Sequence, residues 1–280
     1  MSTSCLLVRR TAYVSEVIEV GGNRDSGPVR GEGVESAPPG AEAGRAGSQV
    51  PAAWRTAAEH YFGERLPLAE RYADLLATDG VVRGLIGPRE VPRIWDRHLL
   101  NSVALLELLG SAATVTDVGS GAGLPGLALA IARPGLNVVL VEAQLRRTTF
   151  LEEAVANLGL DNVSVLRARA EEAVGRAEPA DVVVARAVAP LDRLVTWCLP
   201  LASVGGRLLA LKGASAVDEI RTHQDAVRKA GGGEPGLVAC GAEFLEPAAT
   251  VIQVVREREA GTAGRPRRDR PSRKRRTSDR

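Results

Sequence analysis

Apolar residues recur along this chain in two rhythms, and the change falls at Gly110. From Pro51 to Gly110 the spacing is helical: Trp54, Ala57, Ala58, Tyr61 and Phe62, then Leu66, Ala69, Tyr72, Ala73 and Leu76. Gly80, Gly84 and Gly87-Pro88 mark a loop, and a third helix is predicted from about Ile94 to Leu109. Beyond Gly110, near-continuous apolar runs alternate with amphipathic stretches. The runs Thr114–Val118, Asn137–Val141, Val163–Arg167, Asp181–Ala185 and Gly206–Lys212 read as parallel strands covered on both faces. Helices are predicted between them at 124–133, 144–158, 170–175 and 190–199. A further helix, about Val217–Ala230, precedes Leu237–Ala239 and Val251–Val255, which suit a closing antiparallel pair. Strands alternating with helices predict a doubly wound α/β sandwich behind a small helical N-terminal region.

The ends differ from this body. Residues 1–50 are rich in Gly, Ser, Ala, Glu and Pro, lack periodicity after Val20, and read as a disordered extension with at most a short local element at Val14–Val20. The expected division is 1–50 extension, 51–110 helical region, 111–256 α/β domain and 257–280 basic disordered tail. Hydrophobic residues make up 45% and aromatics only 3%, so Leu, Val and Ala must fill the core. Net charge is +2, but Gly261–Arg280 alone carries nine Arg/Lys against two Asp. The other 260 residues are net acidic. Cys5, Cys198 and Cys240 are far apart, with no metal-ligand spacing and no disulfide framework, which favours a reducing cytosol and no metal. No apolar run reaches the roughly 18 residues of a membrane span. The N-terminus lacks the apolar core of a signal peptide, so the expectation is a soluble cytoplasmic protein.

The chemistry concentrates at Asp117-Val-Gly-Ser-Gly-Ala-Gly-Leu-Pro-Gly126. Strand, glycine-rich turn and helix present backbone N–H groups to a nucleotide-like ligand. Gly121-x-Gly123-x-x-Gly126 matches the dinucleotide fingerprint. Asp117-x-Gly119-x-Gly121-x-Gly123 equally matches the first motif of S-adenosylmethionine (SAM) methyltransferases. Ligands of parallel sheets sit at the carboxyl ends of strands, and here those ends are polar. Glu142 ends the second strand about 20 residues after the loop, where an acid can accept ribose hydroxyls. Ala170-Glu171 follows the third, where an adenine edge can be read, although Glu171 also suits a solvated helix start. Arg186 ends the fourth, where an ion pair and a ligand contact are both open.

Two cofactors compete. A dehydrogenase needs a proton donor or acceptor on a substrate domain, yet His60, His98 and His223 all lie away from strand ends, and the chain has little room for a second catalytic domain. That favours SAM over NAD. The acceptor is narrowed at Ala185-Arg-Ala-Val-Ala-Pro190, which lacks both the Asn/Asp-Pro-Pro-aromatic motif of exocyclic-amine methylation and a Cys nucleophile beside Pro. Cys198 reads as a buried helix residue. A ring nitrogen with a free lone pair, such as guanine N7, needs neither device.

These motifs, with Trp95-Asp-Arg-His-Leu-Leu-Asn-Ser102, Arg146-Arg-Thr-Thr-Phe-Leu-Glu152 and Ala210-Leu-Lys-Gly213, resemble the bacterial GidB/RsmG-type 16S rRNA guanine-N7 methyltransferases from about Arg55 to Val255. The resemblance implies a Rossmann-like, seven-stranded SAM-dependent methyltransferase sandwich with a small helical N-terminal extension. It implies methylation of N7 of one guanine in the 530 loop of 16S rRNA, about position 527 in the usual numbering. SAM contacts carry over to Gly119, Leu124, Ala170, Glu171 and Arg186, with Arg186 near the methyl donor and the incoming base; Gly121, Gly123 and Glu142 join them on physical grounds. Arg97, His98, Arg146 and Arg147 are the candidate RNA contacts. Departures from the family pattern are Asn101 in place of a frequent Asp, Arg146-Arg147 in place of Lys-Arg, and a missing Asn-Leu-Thr segment upstream. The expected partner is 16S rRNA or the small ribosomal subunit, met by a monomer away from membranes. The tail from Arg265 to Arg276 suits a phosphate clamp or a merely solvated end. Rival readings are a SAM methyltransferase for another RNA, a protein or a small molecule, and a non-catalytic SAM-binding ribosome assembly factor.

Overall fold

A computed structural model describes residues 49–186 and 188–261. Of the extension expected over 1–50, residues 1–48 lie outside the described residues, while Val50 is buried; of the basic tail expected over 257–280, residues 262–280 lie outside them. Seven strands form one sheet: β1 Thr114–Val118, β2 Asn137–Glu142, β3 Val163–Arg167, β4 Ala180–Arg186, β5 Ala202–Lys212, β6 Gly236–Cys240 and β7 Ala249–Val255. Their order is β3-β2-β1-β4-β5-β7-β6. The first five run parallel, and β7 is antiparallel to both β5 and β6. The predicted antiparallel pair is therefore present, with β7 inserted between β5 and β6.

Strand order reverses between β1 and β4. Their register pairs Val118 with Ala185, and β2 on the other side pairs Val141 with Val118. This brings the glycine loop, Glu142 and Arg186 to one edge, the switch point where parallel sheets bind ligands.

The strands bury alternate residues into two layers. Val182 and Val184 join one core, while Val183 and Ala185 join the other. The first layer holds α1 (Arg55–Phe62), α2 (Leu66–Leu75), α3 (Gly126–Ala132) and α4 (Leu145–Leu158). The second holds α5 (Ala170–Ala173), α6 (Leu191–Cys198) and α7 (Ala216–Lys229). Few aromatics enter either core; Leu, Val and Ala fill both. The helical region shares the first core with the sheet. It is tied there by Tyr61 Oη donating to Glu107 Oε1 (2.5 Å), and Arg65 Nε donating to the Ile131 carbonyl (3.3 Å).

The fifth strand starts earlier than expected, at Ala202, the helix expected over 170–175 ends at Ala173, and two further helices differ more. The helix predicted over Ile94–Leu109 is interrupted: a π-helical segment, Ile94–Leu100, runs into short α-helical turns at Asn101–Val103 and Leu106–Leu109. Ile94, Trp95, His98, Leu99 and Leu100 are all buried, so packing on several sides overrides simple α-helical spacing. The helix predicted from 124 begins at Gly126, because Gly123 and Leu124 spend their N–H groups on the Ser120 carbonyl in a turn. Among the described residues, no helix is long and apolar enough to cross a membrane.

Candidate cofactor and acceptor site

The glycine loop is held from below. Asp117, fully buried at the end of β1, accepts the Gly126 N–H at Oδ2 (2.9 Å), anchoring the start of α3. The Ser120 hydroxyl donates back to the Asp117 carbonyl (2.9 Å). Tyr72 of α2, also fully buried, donates to the Ala122 carbonyl (2.8 Å). Burial pushes the Asp117 carboxyl up to about 7, against the pull of the Gly126 N–H. Its Oδ1 is buried without a hydrogen-bond partner.

The glycines serve different ends. At Gly123 (φ +95°) an added Cβ would lie 2.4 Å from Leu127 Cδ1 and 3.0 Å from the Tyr72 hydroxyl, so its smallness serves protein packing. At Gly121 (φ +59°) a Cβ would meet only the Gly119 carbonyl at 3.8 Å, so any side chain would extend into open cleft. At Gly119 a Cβ would sit 3.0 Å from Val188 of the segment after β4.

Glu142 is buried at the end of β2 and bridges loop and helix. Its Oε2 accepts the Gly121 N–H (3.1 Å) and Arg147 Nη1 (3.4 Å), while Oε1 accepts the Gln144 N–H (2.9 Å). A cavity of about 440 Å³ opens beside it, lined also by Ala170, Glu171 and Trp197. A larger cleft of about 900 Å³ adjoins it, lined by Gly121, Leu124, His98, Asn101 and Lys212 among others. The two share Gly119, Arg147, Arg186 and Val188. One elongated ligand can therefore run from Glu171 past Glu142 to the glycine loop, with Arg186 beside the junction.

Arg186 leaves β4 and reaches the helical region. Its Nη2 contacts His98 Nδ1 (2.8 Å), and its Nη1 lies 3.5 Å from both Ser102 Oγ and the Arg97 carbonyl. His98 Nε2 lies 2.9 Å from Glu90 Oε2, and Glu90 Oε1 also takes Arg97 Nη1 at 3.2 Å. Burial pulls Arg186 below its ordinary value, and burial together with Arg186 does the same to His98. At the end of β5, Lys212 Nζ donates to Glu219 Oε2 and to the Ala189 carbonyl, both at 2.7 Å. Glu219 Oε2 also accepts the Leu191 N–H (3.0 Å), so the pair staples both sides of Pro190.

The sequence-derived candidates separate accordingly. Gly119, Gly121, Leu124, Glu142, Ala170, Glu171 and Arg186 line the two joined cavities. Arg97 and Arg146 are exposed, Arg147 is half-exposed against Glu142, and His98 is buried behind Arg186. Tyr72, Glu90, Ser102, Lys212 and Glu219 were not singled out as site residues. Their partners named above lie between 7 and 84 residues away in sequence, which no local motif reveals. Only Ser102 and Lys212 carried a signal, inside the stretches Trp95–Ser102 and Ala210–Gly213. Among the described residues no group of three His, Cys, Asp or Glu is placed to hold a metal.

The residues present fit S-adenosylmethionine. An unpartnered buried carboxylate oxygen lies under a loop with open space at Gly121, and an acid lines the smaller of two joined cavities. Glu142 would take the ribose hydroxyls, the step at Ala170-Glu171 the adenine, and the loop the methionine part.

The family described as "GidB: rRNA small subunit methyltransferase G" matches residues 65–245. A protein of Salinispora tropica named ribosomal RNA small subunit methyltransferase G is 57% identical over 214 residues, covering 74% of this chain and 88% of its own length. Proteins of the same name from Corynebacterium efficiens and Mycobacterium marinum are each 52% identical. The first covers 75% of this chain and 92% of its own length, the second 78% and 94%. The matched span takes in the glycine loop, Glu142, Arg186 and the histidine that holds it, and the chain belongs to the rRNA small subunit methyltransferase G (GidB) family.

Proposed function

We propose that this chain transfers a methyl group from S-adenosylmethionine to N7 of a single guanine in the 530 loop of 16S rRNA, about position 527. Membership of the family supports SAM-dependent methylation of rRNA, and the chemistry of the cleft supports the finer assignment. Bound SAM supplies a methyl group on a positively charged sulfur. Every other requirement falls to the protein: to orient the acceptor, exclude water and handle any proton.

The observation that carries the N7 reading is that, among the described residues, the histidine and carboxylates lining the larger cleft are all engaged by other groups. His98 Nδ1 is occupied by Arg186, Glu90 by His98 and Arg97, and Glu219 by Lys212 and the Leu191 N–H. Cys198 is fully buried in α6, where burial raises its thiol far above the ordinary value, and Cys240 is buried in β6. Guanine N7 carries a lone pair and no proton, so positioning alone suffices. Arg186, beside the junction of the two cavities, is the group suited to meet the incoming base through its remaining donors. An rRNA substrate supports a cytoplasmic site for the activity.

The reading is tested by incubating the protein with labelled SAM and small subunits from cells lacking the gene, then digesting the rRNA to nucleosides. Label is expected in N7-methylguanosine. Label in any other nucleoside, or none, overturns the assignment.

A further inference from the structure

His98 stands between two groups that together decide its protonation. An arginine side chain only donates hydrogen bonds. The 2.8 Å contact from Arg186 Nη2 therefore requires a lone pair on His98 Nδ1. The single proton of the neutral ring then sits on Nε2, where it donates to Glu90 Oε2 at 2.9 Å. Glu90 comes from the turn Pro88–Arg93, His98 from the π-helical segment and Arg186 from β4, so three separate elements meet in this chain of contacts. The other charged group against it is Arg97, itself paired with Glu90.

We propose that His98, held as its Nε2–H tautomer by Glu90, is a positioning residue for Arg186, and that protonation of His98 releases Arg186 and lowers methyl transfer. The inference rests on the methyltransferase reading above. A protonated ring carries hydrogen on both nitrogens, so Nδ1 would face Arg186 donor to donor, cation to cation. Glu90 then gains a stronger pair, while Arg186 keeps only its longer contacts of 3.5 Å to Ser102 and the Arg97 carbonyl. The environment resists that change: burial and the Arg186 charge both favour the neutral ring, with Glu90 opposing them. The acid effect thus falls below the ordinary histidine value of about 6.5.

Two variants separate positioning from packing. His98→Asn keeps an acceptor for Arg186 and cannot titrate; His98→Ala keeps nothing. With the full chain and small subunits as substrate, kcat of His98→Ala is expected to fall on the order of 100-fold, the scale at which a misplaced group acts. Its KM for RNA and Kd for SAM should stay within about threefold, since neither reports a group acting mainly on the methyl-transfer step. His98→Asn should recover most of kcat. Wild-type kcat should drop in acid more steeply than that of His98→Asn measured in the same buffers. A second arm needs no substrate. The chain has three histidines, so nitrogen-detected NMR can resolve the ring of His98. Nδ1 is expected unprotonated at neutral pH, and Arg186→Ala should raise the pH at which the ring protonates.

Equal loss in His98→Ala and His98→Asn, identical acid limbs, or a proton on Nδ1 at neutral pH would each overturn the proposal. If wild-type protein methylates no rRNA, the functional reading falls instead. The NMR arm then still decides whether Glu90, His98 and Arg186 are coupled as described.

Discussion

Gly121 and Asp117 show how single residues set this site. Gly121 combines a positive φ with open space ahead of its Cα. Gly121→Val should therefore strain the loop by about 1–2 kcal/mol and fill the ligand's approach. Isothermal titration is expected to show loss of SAM binding, with only a modest fall in Tm; binding at wild-type affinity would contradict the assigned role of the loop. Asp117 is buried with one oxygen unpartnered, and its carboxyl is pushed up to about 7. The folded state thus holds its proton where the unfolded chain, at the ordinary 3.8, has lost it. Between those two values the unfolded state sheds the proton first, so stability from this group falls as pH rises and levels off above about 7. The Tm of ligand-free protein should decline more steeply from pH 5 to 8 in the wild type than in Asp117→Asn. Equal slopes would show that Asp117 ionises normally.

At the scale of elements, the loop after β4 is the part whose shape depends on a distant partner. Lys212 of β5 and Glu219 of α7 hold Ala189 and Leu191, and the segment between carries the wall of the cleft. Glu219→Ala leaves the largely buried Lys212 ammonium without its carboxylate. It should cost about 2 kcal/mol and lower Tm by roughly 4–8 °C. It should also raise KM for RNA, because the wall at Val188–Pro190 loses its staple. Unchanged Tm and KM would remove the pair from the site. The strands were legible because fully covered parallel strands must be apolar along their whole length, and the loop because its glycines are forced by backbone geometry. The helix expected over Ile94–Leu109 was not, since its interruption answers to neighbours on several sides. Nor were Glu90, Tyr72 and Glu219, whose roles exist only after the chain has folded back on itself. His98 was legible as a site residue, but its place behind Arg186 was not.

At the scale of the molecule, charge is separated along the chain: a net acidic body and a terminal stretch with nine Arg/Lys against two Asp. Such a stretch binds phosphates without sequence preference and releases counterions as it does so. Deleting residues 261–280 should weaken binding to small-subunit RNA and flatten its dependence on salt, leaving SAM affinity intact. Binding that is unchanged at low and moderate salt would make the tail a bystander. On the proposed reading the selectivity comes from the body, through the cleft at the switch point of the sheet, where Arg186 meets the helical region. The most direct test of the whole account is a map of N7-methylguanine in 16S rRNA, compared between cells with and without the gene. Reduction followed by aniline cleaves the chain at that base. The account predicts a cleavage in the 530 loop, about position 527, that disappears when the gene is deleted and returns with the wild-type chain but not with Gly121→Val. A cleavage that persists without the gene would contradict it.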